Sequence, residues 1–144
     1  MAGASGQAEG PVGVTEEHLV VDASALVDLL LGEALSAAVQ ARIDGAVLHA
    51  PAHVDAEILS GLGRLYRSGK LTAPVVDEQL TAMSAAPILR HAVPDLLRGA
   101  WQRRDRIRLA DALYVELADR LGVRMLTTDR ALARTTKIAE VVTA

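Results

Sequence analysis

The chain is predicted to fold as an α/β domain, a three-layer α/β/α arrangement with a mainly parallel central sheet. Two observations indicate this class. Short apolar runs rich in Val, Leu and Ile alternate along the chain with longer segments in which apolar residues recur every three or four positions. The first pattern is typical of buried strands and the second of amphipathic helices. Strands that alternate with helices form parallel sheets covered on both faces.

Composition limits what this domain can be. Its 144 residues fit one domain, and a hydrophobic content of 51% is enough for a core. The chain has no cysteine, which excludes a disulfide scaffold, a thiolate zinc site and a cysteine nucleophile. It has no Phe, one Trp and two Tyr, so the core must consist of aliphatic side chains, and an aromatic RNA-stacking sheet is not expected.

The folded region is expected to span residues 18–144. Residues 1–17 are polar and rich in Gly and Ala, and we expect them to form a disordered lead-in. This lead-in lacks the basic and apolar parts of a signal peptide, and no apolar run reaches the ~18 residues of a membrane-spanning helix. The sequence therefore predicts a cytoplasmic protein.

The first half of the folded region is predicted to contain two strands and four helices. A β-branched apolar run begins it, Ser24 is a candidate helix N-cap, and Asp44-Gly45 forms a turn. Pro51 ends the second strand. The predicted strands are 18–22 and 46–50, and the predicted helices are 25–31, 33–43, 53–68 and 72–84.

The second half continues the alternation. Four leucines at steps of four make 109–121 the clearest helix, and Gly122 ends it. The predicted strands are 88–93, 123–127 and 138–142, and the predicted helices are 94–104, 109–121 and 129–134.

Charge is distributed unevenly between the two parts of the chain. Residues 1–60 contain nine acidic residues and one basic residue, whereas residues 61–144 contain nine acidic and fourteen basic residues. The first part therefore carries −8 and the second +5, which together give the net charge of −3. Such a division suits an enzyme that binds a cation and an anionic substrate, although scattered surface charge produces it too.

Two aspartates follow predicted strands at the same edge of the sheet. Asp22 ends the first strand, and Asp129 lies two residues after the 123–127 strand. Ligands of open α/β sheets collect beyond the carboxyl ends of strands, so both residues are predicted to face one crevice. Each also precedes a helix, where a capping role alone would explain it.

Further acidic candidates lie near helix starts. Asp111 shares a stripe with Val115 and Ala118, where its carboxylate would be partly desolvated, although an acid in a first turn is also favoured by the helix dipole. Glu116 is instead predicted to pair with Arg120 on a solvated face. Asp55 and Glu57 lie about 200° apart on their helix, so only one can face the crevice, and periodicity does not choose between them.

Carboxylates gathered in this way would form a site for a hard divalent cation. Mg²⁺ and Mn²⁺ prefer carboxylate and water oxygens, and they lower the pKa of a bound water. Without a metal, four such carboxylates would repel one another.

Four segments in this order resemble a known family. They are Asp22-Ala23-Ser24-Ala25-Leu26 after an apolar strand, DAEILSGL around Glu57, LADALYVELA around Asp111 and LTTDRAL around Asp129. Together they resemble the PIN domain, most of all the ribonuclease toxins of VapBC toxin–antitoxin systems. The resemblance covers about residues 18–142.

The resemblance implies a Mg²⁺- or Mn²⁺-dependent endoribonuclease. It implies that Asp22, Glu57, Asp111 and Asp129 bind the metal directly or through water, and it selects Glu57 over Asp55. A metal-activated water would hydrolyse structured RNA, either tRNA or ribosomal loops, and leave a 3′-hydroxyl and a 5′-phosphate. A VapB-like antitoxin would block the groove, and the toxin would form a homodimer.

The chain departs from the family pattern before the third acid. Family members often carry a Thr or Ser two or three residues before it, where this chain has Arg106-Ile107-Arg108-Leu109-Ala110. The arginines are expected to alter substrate contacts or metal affinity.

Several residues are candidates for supporting roles. The hydroxyls of Ser24, Thr127 and Thr128 are candidates for orienting a carboxylate or a metal-bound water, with capping the alternative slightly favoured for Ser24. A run of arginines is a candidate RNA contact, although a solvated helix face is equally compatible with it. Its members are Arg98, Arg103, Arg104, Arg106 and Arg108.

The remaining aromatic and apolar features favour structural interpretations. Trp101 could stack on a base, but packing is the favoured interpretation. The four histidines lack zinc-ligand spacing and are interpreted as structural. The apolar stripes of 53–68 and 72–84 are expected to pack mainly in the core, with part of this surface left for a homodimer or antitoxin contact.

Two other functions stay open at this point. One is a nuclease of the same fold that acts on DNA. The other is a non-catalytic PIN module that binds RNA or a partner, which the presence of all four acids disfavours.

Overall fold

The structure is a computed structural model that describes residues 15–144. Within that range it contains five strands, seven α-helices and a 3-10 helix at Val93–Leu96. The strands are β1 His18–Val21, β2 Val47–Pro51, β3 Ile88–His91, β4 Arg124–Thr127 and β5 Ala139–Val141. The helices are α1 Ala23–Leu31, α2 Ala34–Ile43, α3 Val54–Arg67, α4 Ala73–Ala85, α5 Leu97–Gln102, α6 Leu109–Leu121 and α7 Arg130–Thr135.

The five strands form one parallel sheet in the order β3-β2-β1-β4-β5. β1 lies at its centre, pairing with β2 through Leu19 and Leu48 and with β4 through Val20 and Met125. The chain adds β2 and β3 on one side of β1, and then β4 and β5 on the other side. The carboxyl ends of β1 and β4 therefore border the point where the strand order reverses. Open α/β sheets form their ligand crevice at this point.

The core is mainly aliphatic, as the composition predicts, but it also contains the aromatic ring of Tyr114. The central strands are buried on both faces, which explains why they appear in the sequence as continuous apolar runs. Helices cover the sheet on both sides, and the predicted α/β class is confirmed. The largest side chains with under 2% exposure include Leu19, Val20, Val21, Ile58, Leu62, Tyr114, Met125 and Leu126.

Two boundaries differ from prediction for identifiable reasons. The first helix begins at Ala23 rather than Ala25, because Asp22 and not Ser24 is its N-cap: the Asp22 side chain accepts a hydrogen bond from the Ala25 amide. The third strand ends at His91 instead of Val93. The segment from Val93 to Leu96 turns into a 3-10 helix with Pro94 near its start, and α5 follows only from Leu97.

The two stripes on α3 and α4 mainly serve the core. Ile58, Leu62 and Met83 are buried, and Leu65, Val76 and Leu80 pack against them. The apolar residues that remain exposed on these helices are Leu59, Tyr66 and Val75.

The start of the chain is only partly described. Most of the predicted lead-in, residues 1–14, lies outside the described residues. Glu17, which the prediction assigned to the lead-in, is attached to the fold: its carbonyl accepts from the Val47 amide at 2.8 Å and its carboxylate pairs with Arg42 at 2.8 Å. Arg42 also pairs with Glu140, so it connects α2 to both β1 and β5.

A membrane-spanning helix must be both long enough and apolar enough to cross a bilayer. Among residues 15–144 no single helix meets both; α1 and α2 meet them only as a joined pair with a 120° bend between them.

Candidate active site

One cleft at the carboxyl edge of the sheet contains all four predicted acids. It has a volume of about 510 Å³ and lies between α1, α3, α6 and the loop after β4. Asp22, Glu57, Asp111 and Asp129 line it, each from a different element. The parallel sheet brings the first and last of these together, because β1 and β4 are neighbours.

Asp22 is the most buried of the four acids. Only 4% of its surface is exposed, and its Oδ1 accepts hydrogen bonds from the Ser24 hydroxyl at 2.8 Å and the Ala25 amide at 3.0 Å. Burial raises the pKa of its carboxyl to about 6, against the lowering effect of these donors and of Thr127. Burial therefore disfavours ionisation of Asp22 in the metal-free fold, and a cation would offset this cost.

Glu57 enters the cleft from α3, and Asp55 does not. The Asp55 carboxylate pairs with Arg90 on the outer surface at 2.7 Å. The Tyr114 hydroxyl donates to Glu57 Oε1 at 2.7 Å, and His53 Nε2 lies 3.4 Å from the same oxygen. Among the described residues both contacts fall on Oε1, which leaves Oε2 available to a ligand.

Asp111 lies in the first turn of α6 and lines the cleft with the other acids. Burial raises the pKa of its carboxyl, Arg108 opposes this, and Glu57 and Asp129 raise it further. Arg108 Nε lies 3.6 Å from Asp111 Oδ2. The arginine that departs from the family pattern therefore contacts the third acid itself.

Asp129 both caps a helix and lines the cleft. Its Oδ1 accepts from the amides of Ala131 at 2.9 Å and Leu132 at 3.2 Å, and its own amide donates to Thr127 Oγ1 at 3.0 Å. The capping interpretation is correct for Asp22 and Asp129, and both residues also line the cleft, because one carboxylate oxygen is enough for the cap.

A network of hydroxyls joins the ends of β1 and β4. Ser24 Oγ lies 3.2 Å from Thr127 Oγ1 and 3.2 Å from Thr128 Oγ1. The Thr128 hydroxyl donates to Asp28 at 2.6 Å, and Asp28 is a fifth carboxylate of the cleft. The three predicted hydroxyls therefore lie beside Asp22 and Asp129.

The donor set fits a hard divalent cation that keeps part of its water shell. Within residues 15–144, no three Asp, Glu or His side chains converge closely enough to hold an ion by themselves. Mg²⁺ usually binds through one or two carboxylates and several waters, so a lined but unclosed cleft suits it better than a rigid cage would. The raised pKa values of Asp22 and Asp111 indicate carboxylates that an ion would stabilise.

The predicted arginine contacts separate into different environments. Of the five, only Arg108 lines the cleft. Arg103 is held by Glu116 and Asp119, and Arg104 lies 4.7 Å from the centre of the Trp101 ring. Arg98 lines a shallow depression beside Trp101, and Arg106 is exposed.

Trp101 is 56% exposed, so the favoured packing interpretation is wrong.

Glu116 is not on a solvated face, contrary to prediction. The predicted pair with Arg120 exists at 2.6 Å, but the Glu116 residue is only 8% exposed. Arg103 binds its other oxygen. Gly99 makes room for this carboxylate: a Cβ at that position would lie 2.0 Å from its carboxyl carbon.

Three of the four histidines form a ladder across neighbouring strands. His18 Nδ1 lies 2.9 Å from His49 Nε2, and His49 Nδ1 lies 2.9 Å from His91 Nε2. Because each contact uses a different nitrogen of His49, the rings form a chain and do not converge on one point. The structural interpretation agrees with this geometry.

Four polar or charged residues of the cleft were not predicted from the sequence: Asp28, Arg64, Lys70 and Tyr114. Spacing could have indicated two of them. Arg64 follows Glu57 by seven residues, and Tyr114 follows Asp111 by three, so each lies on the same helix face as its acid.

Comparison with known proteins agrees with the fold. A model of the PIN domain matches residues 19–138, and the chain therefore belongs to the PIN-domain family. Within it the chain groups with the VapC ribonucleases. Ribonuclease VapC3 of Mycobacterium tuberculosis is 54% identical over 119 residues, which cover 82% of this chain and 87% of VapC3.

Solved structures show the same architecture at lower identity. A chain of a toxin–antitoxin complex from Klebsiella pneumoniae is 15% identical with a TM-score of 0.61, over 85% of this chain and 96% of that one. VapC20 of Mycobacterium tuberculosis, described as a toxin that cleaves the sarcin-ricin loop, is 16% identical with a TM-score of 0.59. That match covers 81% of this chain and 94% of VapC20.

Proposed function

We propose that the protein is a Mg²⁺- or Mn²⁺-dependent endoribonuclease and the toxin of a toxin–antitoxin pair. The observation that carries this proposal is the meeting of Asp22, Glu57, Asp111 and Asp129 in one cleft at the switch point of the sheet. Similarity to VapC3, a named ribonuclease, supports the same activity.

In this proposal the four acids hold the cation directly or through water. When bound, the ion lowers the pKa of a water and stabilises negative charge on a phosphoryl oxygen. Tyr114 orients Glu57 by its hydrogen bond to Oε1, and Ser24 orients Asp22 in the same way. Thr127 fixes the backbone of Asp129. Hydrolysis of the phosphodiester would leave a 3′-hydroxyl and a 5′-phosphate.

The proposed substrate is structured RNA, either tRNA or ribosomal RNA, which places the activity in the cytoplasm. VapC20, a structural neighbour, is described as a toxin that cleaves the sarcin-ricin loop. A VapB-like antitoxin is the proposed inhibitor. We also propose a homodimer, with Leu59 and Tyr66 on α3 as its exposed apolar contacts. Light scattering of the purified toxin measures that assembly.

The decisive experiment compares wild type with Asp111→Asn on end-labelled total tRNA and ribosomal RNA. With Mg²⁺ or Mn²⁺, wild type should give discrete fragments, and the variant should cut at least about 100-fold more slowly. Chelator should abolish cutting. Asp55→Asn is the matched control, because Asp55 pairs with Arg90 outside the cleft.

The same experiment separates the alternatives. Fragments from single-stranded or duplex DNA but not from RNA would indicate a DNA nuclease. RNA binding by folded wild type without cutting in either metal would indicate a binding module. Full activity in Asp111→Asn would remove that residue from the site.

A further inference from the structure

The acidic cleft has basic residues around its opening. Arg64 on α3, Lys70 just after α3 and Arg108 before α6 line the same cavity as the acids, and we call these three residues the basic rim. The cleft thus combines five carboxylates, including Asp28, with three cations.

Helix geometry places Arg64 beside the acids. Glu57, Gly61 and Arg64 follow one another at steps of four and three, which puts them on one face of α3. Arg64 Nη2 lies 3.7 Å from the position that a Cβ on Gly61 would occupy, so the guanidinium folds back along the helix. Gly61 is four residues, or about 6 Å of helix rise, from Glu57.

Lys70 takes its position from the turn that ends α3. Gly69 adopts a φ of +83°, which side-chain-bearing residues rarely do, and the Lys70 amide then donates to the Leu65 carbonyl at 2.9 Å. This turn directs the chain back toward the cleft, where Lys70 joins the lining.

Arg64 and Lys70 have charges that no carboxylate in the described part of the chain neutralises. Within residues 15–144 neither side chain forms an ion pair, whereas Arg108 lies 3.6 Å from Asp111. Both residues are exposed, so their cationic groups are accessible from solvent. Guanidinium and ammonium groups in this situation bind phosphate oxygens.

We propose that Arg64 and Lys70 bind the phosphates that flank the bond to be cut, so that the cleft takes a strand of several nucleotides. This inference rests on the proposed function, in which the acids hold the metal that acts on the central phosphate. The guanidinium of Arg64 lies beside Gly61, about one helical turn beyond Glu57, and therefore contacts a neighbouring phosphate. The rim also offsets the repulsion between the remaining carboxylates and the RNA backbone.

Binding is best measured separately from cutting. The probe is a fluorescein-labelled, mixed-sequence RNA of 12 nucleotides, followed by anisotropy with Mn²⁺ in an Asp111→Asn background. Arg64→Gln and Lys70→Gln should each weaken binding about three- to tenfold. Each should also reduce the slope of log affinity against log salt by about 0.7, because one phosphate contact is lost.

Arg67→Gln is the matched control. Arg67 is also an exposed arginine of α3 that folds back over a glycine, with Nη1 3.4 Å from the position of a Cβ on Gly63, but it does not line the cleft. The Arg67→Gln variant should keep its RNA affinity within about twofold, and the slope of log affinity against log salt should not change. Arg64→Lys should recover part of the lost slope, since it restores the charge without the guanidinium.

Cutting assays on otherwise wild-type protein test the same point independently. In Arg64→Gln the loss should fall on KM more than on kcat, because the acids are intact. Three results would each overturn the inference. They are an equal loss in Arg64→Gln and Arg67→Gln, salt slopes that do not change in the rim variants, and a parent protein that does not bind RNA. Absence of cutting by wild type with normal rim-dependent binding would instead overturn the proposed function alone.

Discussion

Asp22 and Glu116 are both carboxylates with less than a tenth of their surface exposed, yet their surroundings are opposite. Glu116 is bound on both oxygens by the guanidinium groups of Arg103 and Arg120. Among the described residues Asp22 has hydroxyl and amide donors, and the charge that affects its pKa is the like charge of Asp111, which raises it. The negative charge of Glu116 is thus balanced by two arginines of the protein, whereas that of Asp22 is not balanced by a cationic side chain in the described part of the chain.

Under the proposed function, this difference separates charge that stabilises the fold from charge that binds a ligand. Neutralising a buried carboxylate that has two cationic partners destabilises the protein, because the partners lose their buried anion. A buried carboxylate without a cation is destabilising until a cation arrives. The same isosteric change, carboxylate to amide, should therefore have opposite effects in the two clusters.

The largest expected effect is on Glu116. Glu116→Gln should lower the free energy of unfolding by about 3 kcal/mol, because Arg103 and Arg120 lose their buried anionic partner. Urea denaturation measures this change. Asp119→Asn is the control: it removes an exposed partner of the same Arg103 and should cost less than about 1 kcal/mol. A neutral result for Glu116→Gln would contradict the structural role of that cluster.

Asp22→Asn should have the opposite sign in metal-free protein. The folded-state pKa of Asp22 is raised to about 6 from 3.8, so its contribution to stability is present below pH 3.8 and is lost as the pH rises toward 6. At pH 7.5 the amide, which can still cap α1, should stabilise the apoprotein by about 1–2 kcal/mol.

Thermal unfolding in EDTA tests this prediction, and a second scan with Mn²⁺ tests whether the Asp22 carboxylate is needed for metal binding. Mn²⁺ should raise the Tm of wild type but not that of Asp22→Asn, because stabilisation by a ligand requires binding to the folded state. An apoprotein destabilised by Asp22→Asn at pH 7.5 would mean that the carboxylate is balanced by the protein itself, as Glu116 is.

Tyr114→Phe tests how the cleft positions its acids. Loss of the 2.7 Å hydrogen bond should free Glu57 to rotate and weaken Mn²⁺ binding about tenfold, as seen when outer contacts of metal ligands are removed. Calorimetric titration with Mn²⁺ gives the affinity. Tyr66→Phe changes the other tyrosine, which is exposed and outside the cleft, and should have no effect. Equal affinities in the two variants would show that Glu57 needs no such support.

The smallest expected effect concerns the histidine ladder, a polar cluster away from both groups. Burial lowers the pKa of His49 below its ordinary 6.5, and His91 and His18 lower it further. The folded state therefore prefers neutral His49, and stability should fall as the pH drops below 6.5. We expect this loss to be smaller than the effects above, and urea denaturation from pH 7 to pH 5 measures it. His49→Gln should remove most of this dependence, whereas a dependence that persists in the variant would have another source.

Much of the fold was predictable because local patterns report on burial. The buried central strands are short apolar runs, α6 shows leucines every four residues, and the predicted sheet is confirmed in type and element order. Capping chemistry was less predictable. Ser24 and Asp22 are both good N-caps, and the choice depends on which of them the end of β1 turns toward the first free amides.

The four acids were found through their order along the chain, and α3 shows why the residues alone were insufficient. Asp55 and Glu57 are equally acidic and both lie in the first turn of α3. Only the tertiary packing of α3 directs Glu57 to the cleft, where Tyr114 of α6 binds it, and Asp55 to Arg90. The family pattern selected the same residue, since it reflects that packing.

The sequence by itself therefore determined the class of fold, the order of its elements and the acids available for a metal, because periodicity and residue chemistry are local properties. Only the tertiary structure decided which charges meet. Arg103 approaches Glu116 across thirteen residues because Gly99 leaves room, and Arg64 and Lys70 join acids from three other elements. Contacts of this kind depend on how helices pack on the sheet, and no spacing within one segment encodes them.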